Sequence, residues 1–77
     1  MVTPAQIRAA RGLLKWTQAS LAHKAALSTV TLNMIETESV APRTGTLDSI
    51  QRALEQGGVE FLIEQGQGVG VRFRTAS

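Results

Sequence analysis

Residues 16–36, WTQASLAHKAALSTVTLNMIE, decide the fold. Thr17 reads as the N-cap of a short helix whose apolar positions are Leu21, Ala22 and Ala25, and Ser28 as the N-cap of a second, whose inner face is Leu32 and Ile35. Between them lie only Ala26 and Leu27. Such a connection forces the helices to cross steeply and turns the other face of the second helix outward.

Working outward from this stretch, the same start signal occurs three times. An apolar residue just before the cap can close on the fourth helical residue as a hydrophobic staple, and the triplets are Val2, Thr3, Ile7; Trp16, Thr17, Leu21; and Leu27, Ser28, Leu32. The first is reinforced by Pro4 at the first helical position and by Gln6, which completes a capping box with Thr3. In this first helix Ile7, Ala10 and Leu14 form the inward stripe and Arg11 lies at its edge. A fourth helix is expected after the loop at residues 39–43, from Thr44 or Thr46 to Gln56, with Leu47, Ile50 and Leu54 facing in. The Gly57-Gly58 pair should end it as a left-handed cap.

Beyond Gly58 the apolar period changes from 3.6 to 2. Val59, Phe61 and Ile63 alternate with Glu60, Leu62 and Glu64, and Val69, Val71 and Phe73 alternate with Gly70, Arg72 and Arg74, which is a β-hairpin signal. Gly66, Gly68 and Gly70 are read as its flexible turn, with Gly70 marking a bulge or a close backbone approach. A phosphate-binding loop is disfavoured there, because it should follow a strand and open a helix. The chain thus divides into a helical domain over residues 1–58 and a hairpin over 59–77.

Two helices crossing at a tight elbow are the geometry of a DNA-reading helix-turn-helix. Over roughly Thr3 to Leu54 the sequence resembles the lambda-repressor-like, XRE family of helix-turn-helix proteins, through IRAARGLL, TQASLA, Leu27-Ser28, TLNMIE and APRTGTLDSIQRAL. The resemblance implies a mostly α fold, a four-helix domain with the hairpin added at the C-terminus. It also implies that Arg11 pairs with Glu36 at the end of the third helix, although the residues alone leave room for two independent surface charges. The chain departs from the family pattern in two places. Ala26 stands where the elbow usually has Gly, in a left-handed conformation that costs an L-residue about 1 kcal/mol. Thr37, Glu38 and Ser39 stand where Arg or Lys often follows the third helix.

At about 100° per residue, with Leu32 and Ile35 inward, the outward arc of the third helix holds Val30, Asn33, Met34 and Thr37, flanked by Thr29. Val30 and Met34 suit thymine methyl groups, Asn33 an adenine edge, and Thr29 a base or phosphate. Isolated exposed apolar residues are also ordinary on a solvated face. Gln18 matches the family's phosphate-contacting Gln, and Lys24, Ser28, Thr37 and Arg43 are further candidates for the DNA backbone, each of which can equally be a plain surface residue.

The sequence pI near 10.0 overstates basicity. With no Tyr, no Cys and one His, little titrates above pH 7, and the net charge is only +2. Attraction to phosphate must therefore come from local placement. The lack of Cys excludes a disulfide framework, Met1-Val2-Thr3-Pro4 is not a signal-peptide start, and no apolar run is long enough for a bilayer, so a cytoplasmic protein is expected. His23 sits among Ala and Lys and the carboxylates are dispersed, which argues against an enzyme, a metal site, a cofactor or a small-molecule ligand.

These observations point to a sequence-specific regulator of transcription binding double-stranded DNA, a repressor or antitoxin-like autoregulator. The alternative is a protein-interaction module on the same fold. A homodimer is expected through the hairpin, using Val59, Phe61, Ile63, Val69, Val71 and Phe73, whose apolar surface and open edges a lone hairpin leaves uncovered. The competing arrangement folds the hairpin back on the first and fourth helices of its own chain.

Overall fold

Each of the first three helices starts where a side-chain oxygen takes up a free backbone N–H. In the computed structural model, which describes residues 2–74, these are α1 (Pro4–Leu14), α2 (Gln18–Lys24) and α3 (Thr29–Glu36), followed by α4 (Thr44–Gln56), β1 (Val59–Glu64) and β2 (Gln67–Phe73). Thr3 accepts from Gln6 N in a complete capping box, Thr17 from Ser20 N and Ser28 from Thr31 N. Met1, and residues 75–77 of the segment assigned to the hairpin, lie outside the described residues.

The same three helices end alike. At α2, Leu27 N donates to Ala22 O and Ala26 N to His23 O, with Ala26 at φ 59°, which is a Schellman cap. The pattern repeats at α1, from Trp16 to Arg11 and Lys15 to Gly12, with Lys15 at φ 57°. It occurs again at α3, from Ser39 to Met34 and Glu38 to Ile35, with Glu38 at φ 62°. The elbow's left-handed Ala26 is thus one of three such helix ends, and Lys15-Trp16-Thr17 and Ala26-Leu27-Ser28 are equivalent junctions: a left-handed residue, an apolar residue, then the next cap.

The core is built from Val2, Ile7, Ala10, Leu21, Ala22, Ala25, Leu32, Ile35, Leu47, Ile50, Ala53, Leu54 and Val59, with Leu14 and Trp16 half-buried around it. Of the Gly57-Gly58 pair that ends α4, Gly57 is right-handed at φ −75° and Gly58 carries the positive φ, at 112°. Gly57 is small for another reason, since a Cβ there would stand 2.6 Å from the Trp16 ring.

The hairpin folds back on its own chain, β2 against α1 and β1 against α4 and α1. Its turn is Gln65-Gly66, with φ of 53° and 78°, the positive pair that suits a two-residue hairpin loop. Gly68 and Gly70 therefore belong to β2 and not to the turn. Leu62 pairs with Gly70 and Ile63 with Gly68, so Val69 is the extra residue of a bulge. Gln6 fills the space that Gly68 leaves. Buried to 3%, it donates from Nε2 to Leu62 O at 3.0 Å and Gly70 O at 2.8 Å, while Oε1 accepts from Thr3 N at 2.9 Å.

A Cβ on Gly68 would lie 1.8 Å from Gln6 Oε1, whereas one on Gly12, inside α1, meets nothing within 4 Å. Gly68→Ala should therefore expel the Gln6 amide and lower unfolding stability by about 2 to 3 kcal/mol, the scale of buried polar groups left unpaired. Gly12→Ala should raise it by roughly 0.5 to 1 kcal/mol. Urea denaturation of the two variants checks both signs.

Candidate nucleic-acid interface

With Leu32, Ile35 and Glu36 turned into the core, α3 presents Thr29, Val30, Asn33, Met34 and Thr37 to solvent. Val30 is 69% exposed and Met34 37%, so two apolar side chains reach solvent on this face, Val30 the more openly. Glu36 is the only carboxylate of α3, and its burial leaves the outward face of the helix free of acidic groups.

Glu36 is 2% exposed and fully engaged. Arg11 grips it with two parallel bonds, Nε to Oε2 and Nη2 to Oε1, both 2.9 Å, while Arg11 Nη1 donates to Trp16 O at 3.1 Å. Gln18 Nε2 donates to Glu36 Oε1 and to Asn33 Oδ1, both at 3.2 Å. Arg8 Nη1 donates to the Glu36 carbonyl, placing a cation at the C-terminal end of α3, which has no basic residue in its own last turn. One buried carboxylate thus joins α1, α2 and the outer face of α3.

The other candidates are distributed unequally. Ser28 Oγ accepts from Thr31 N at 3.0 Å and donates to Thr31 Oγ1, while Thr37 Oγ1 donates to Asn33 O at 2.8 Å and lies 2.9 Å from Ser39 Oγ, so both hydroxyls already serve the ends of α3. Arg43 precedes α4, is exposed, and its side chain has no hydrogen bond or ion pair among the described residues. Lys24 stands apart, at the opposite end of α2 from Gln18. Its Nζ lies 5.1 Å from the Trp16 ring centroid, in a groove shared with His23, Ala53, Gln56 and Gly57.

The hairpin residues also divide. Val59 is completely buried in the chain's own core and Phe61 and Val71 pack half-buried against it, leaving Ile63, Val69 and Phe73 about half exposed. Glu60 and Arg72 pair across the strands on the opposite face.

Sequence reasoning missed Arg8 and the long-range role of Gln6. Gln6 did carry a signal: it falls one turn before Ala10 on the inward stripe of α1, where a polar side chain needs a buried partner. Arg8 carried none, because its partner is a main-chain carbonyl 28 residues away.

Two short helices joined at a Schellman elbow, the second with an uncovered outer face, define a helix-turn-helix domain. A family model described as helix-turn-helix matches residues 7–61, and the chain belongs to that family, the XRE, lambda-repressor-like group of DNA-binding regulators. Its four helices carry the corresponding fold, and the match stops inside β1, so most of the hairpin lies beyond it. A search of curated proteins finds no match to the chain. No helix among the described residues is long and apolar enough to cross a membrane.

Removing Arg11 strands the Glu36 carboxylate. Arg11→Ala should cost about 3 kcal/mol or more, the usual penalty for leaving half of a buried pair, and Glu36→Gln in the same chain should recover part of it. Thermal and urea unfolding of the single and double variants read the coupling.

Proposed function

We propose that the chain is a sequence-specific, double-stranded DNA-binding repressor of transcription that sets α3 into the major groove. The observation that supports this best is the outer face of α3: Thr29, Val30, Asn33 and Met34 stand open while the helix's one carboxylate is buried and paired. A solvent face gains nothing from Val30 and Met34, but the groove offers thymine methyl groups to both. Arg43 and Arg8, beside the two ends of the loop and helix, supply charge for the phosphates, with Ser28 and Thr37 within the same surface. Lys24, drawn over Trp16, is left out of this interface. Occupying an operator is sufficient for repression, and the place of action is the cytoplasm, where the DNA of such regulators is met.

The working unit is a homodimer. The two-stranded sheet leaves an outer edge on each strand, and Ile63, Val69 and Phe73 add exposed apolar surface to it. A second copy joined there through a two-fold axis presents two α3 helices to half-sites about one helical turn apart.

Affinity for duplex DNA should fall with salt at a log–log slope of about −0.9 per neutralised phosphate. Arg43→Ala should weaken operator and random DNA alike and flatten that slope by about one such unit, while Lys24→Ala should leave it unchanged. Binding that ignores salt, or no binding to any duplex at low salt, would favour the protein-interaction reading, which the acidic Glu38 just after α3 keeps in view.

Deleting the hairpin would open the core at Val59, so the dimer is better tested by point changes. Ile63→Lys combined with Phe73→Lys should give a folded monomer by sedimentation equilibrium, with operator binding reduced far more than stability. A dimer of unchanged strength would place the two-fold interface elsewhere.

A further inference from the structure

We infer that the groove between α2 and α4 beside Trp16 is a docking site for an acidic segment of another protein. Carboxylates of that segment meet Lys24 and Arg52, and an apolar side chain between them lies on the indole. The inference is independent of how α3 is used, since no residue of α3 lines the groove.

Small residues open the groove. Ala25 and Ala53 are buried where α2 and α4 meet, and Gly57 lies where a Cβ would stand 2.6 Å from the Trp16 ring. A cavity of about 430 Å³ is left beside the ring, within the usual range of ligand-binding clefts, about 300 to 1,000 Å³. Lys24, Ala53 and Gln56 carry it into an adjoining hollow of about 260 Å³ that reaches Arg52. Trp16, the chain's only Trp, stays half-buried there. An indole with part of its ring open to solvent is a common anchor of protein interfaces.

The charge around the ring is of one sign. Lys24 and Arg52 are exposed, and among the described residues neither side chain makes a hydrogen bond or an ion pair. Lys24 has only the Trp16 ring, whose centroid lies 5.1 Å from Nζ. Among the described residues no carboxylate lines either hollow. Asp48 and Glu55 flank Arg52 a turn away on α4, yet neither pairs with it, and Glu55 accepts from Gln51 instead. The occupant is specified by complement: carboxylates for two unpaired cations, and an apolar group for the ring. A duplex backbone supplies charge without the apolar group. Single strands are bound along a track of several aromatic rings, and here there is one.

The test follows the emission of Trp16 in the full chain. A short blocked peptide of alternating Glu and Leu should change that emission saturably. A Lys and Leu peptide of equal length should bind at least about fivefold more weakly, the scale of two exposed charge pairs. Amide NMR shifts on adding the Glu peptide should centre on Trp16, Lys24, Arg52 and Gly57. Lys24→Glu combined with Arg52→Glu changes two exposed positions and should reverse the order of the two peptides. Equal binding of both peptides overturns the inference, as does binding of neither, or shifts centred on Ile63 and Phe73 of the hairpin. Oligothymidine that perturbs Trp16 more strongly than the Glu peptide would make the groove a nucleic-acid surface, and a sedimenting dimer abolished in the double variant would assign it to a second copy; either result overturns the inference. Should the double variant fail to melt cooperatively, the contrast between the peptides on the unaltered protein decides. None of these outcomes bears on α3, whose reading stands or falls on the salt dependence of duplex binding.

Discussion

A single carboxylate, that of Glu36, is withdrawn from water, and the placement of three helices follows from satisfying it. Desolvating such a group costs several kcal/mol, which only good geometry and further hydrogen bonds offset. Arg11 from α1 supplies two charged bonds and Gln18 from α2 a third, while Arg8 takes the carbonyl of the same residue. The net gain in stability from such a cluster is small. Its effect is orientational: α3 cannot rotate about its axis without breaking the Arg11 fork, so the register that points Val30, Asn33 and Met34 outward is fixed by polar geometry as well as by Leu32 and Ile35.

A second polar side chain performs the corresponding task for the hairpin. Two-stranded sheets are marginal alone, and here the sheet is held by Gln6, whose amide bridges the carbonyls of Leu62 and Gly70 on neighbouring strands. That approach is possible because Gly68 has no side chain, while Gly70, on the other side of the bulge at Val69, offers the amide its carbonyl. Val59 then completes the core that α1 and α4 begin. The helical body and the hairpin are consequently one packed unit, and the large apolar side chains that the hairpin leaves exposed are Ile63, Val69 and Phe73.

What could be read from the sequence was whatever is encoded locally. Thr3, Thr17 and Ser28 mark helix starts because a cap and its N–H lie three residues apart, and the apolar stripes around Ile7, Leu21, Leu32 and Ile50 follow from helical spacing. The face of α3 was legible for the same reason. The Arg11–Glu36 pair, 25 residues apart, was reached through family resemblance and not through spacing. Positions whose logic is non-local were misread or passed over. Within the Gly57-Gly58 pair, Gly58 takes the positive φ while Gly57 makes room for Trp16, and Gly68 looks like turn but makes room for Gln6. Lys15 and Glu38 adopt left-handed backbone without any glycine to announce it. Lys24, a phosphate candidate by its place late in α2, also lies with its Nζ 5.1 Å from the ring centroid of Trp16, a contact that helical spacing does not announce.

These placements also explain how a chain with a net charge of only +2 can approach a polyanion. Arg11 cancels Glu36 inside the core and Arg72 cancels Glu60 on the far face of the hairpin, so neither pair contributes much field beside α3. Arg8, whose guanidinium meets the Glu36 carbonyl, remains at the C-terminal end of α3, with the exposed Glu38 two residues beyond Glu36. So slight a field gives little non-specific affinity, since that affinity grows with the number of phosphates neutralised. On the proposed reading, discrimination therefore falls to short-range contacts: the apolar fit of Val30 and Met34 and the oriented amide of Asn33. Such contacts act only at van der Waals or hydrogen-bond distance and are few on one short helix. Two copies joined rigidly add their contacts without new chemistry, because the second half-site is bound at the effective concentration set by the first. On the proposed dimeric reading, weak charge, an apolar face on α3 and an open hairpin edge are parts of one arrangement, in which specificity is local and affinity is supplied by symmetry.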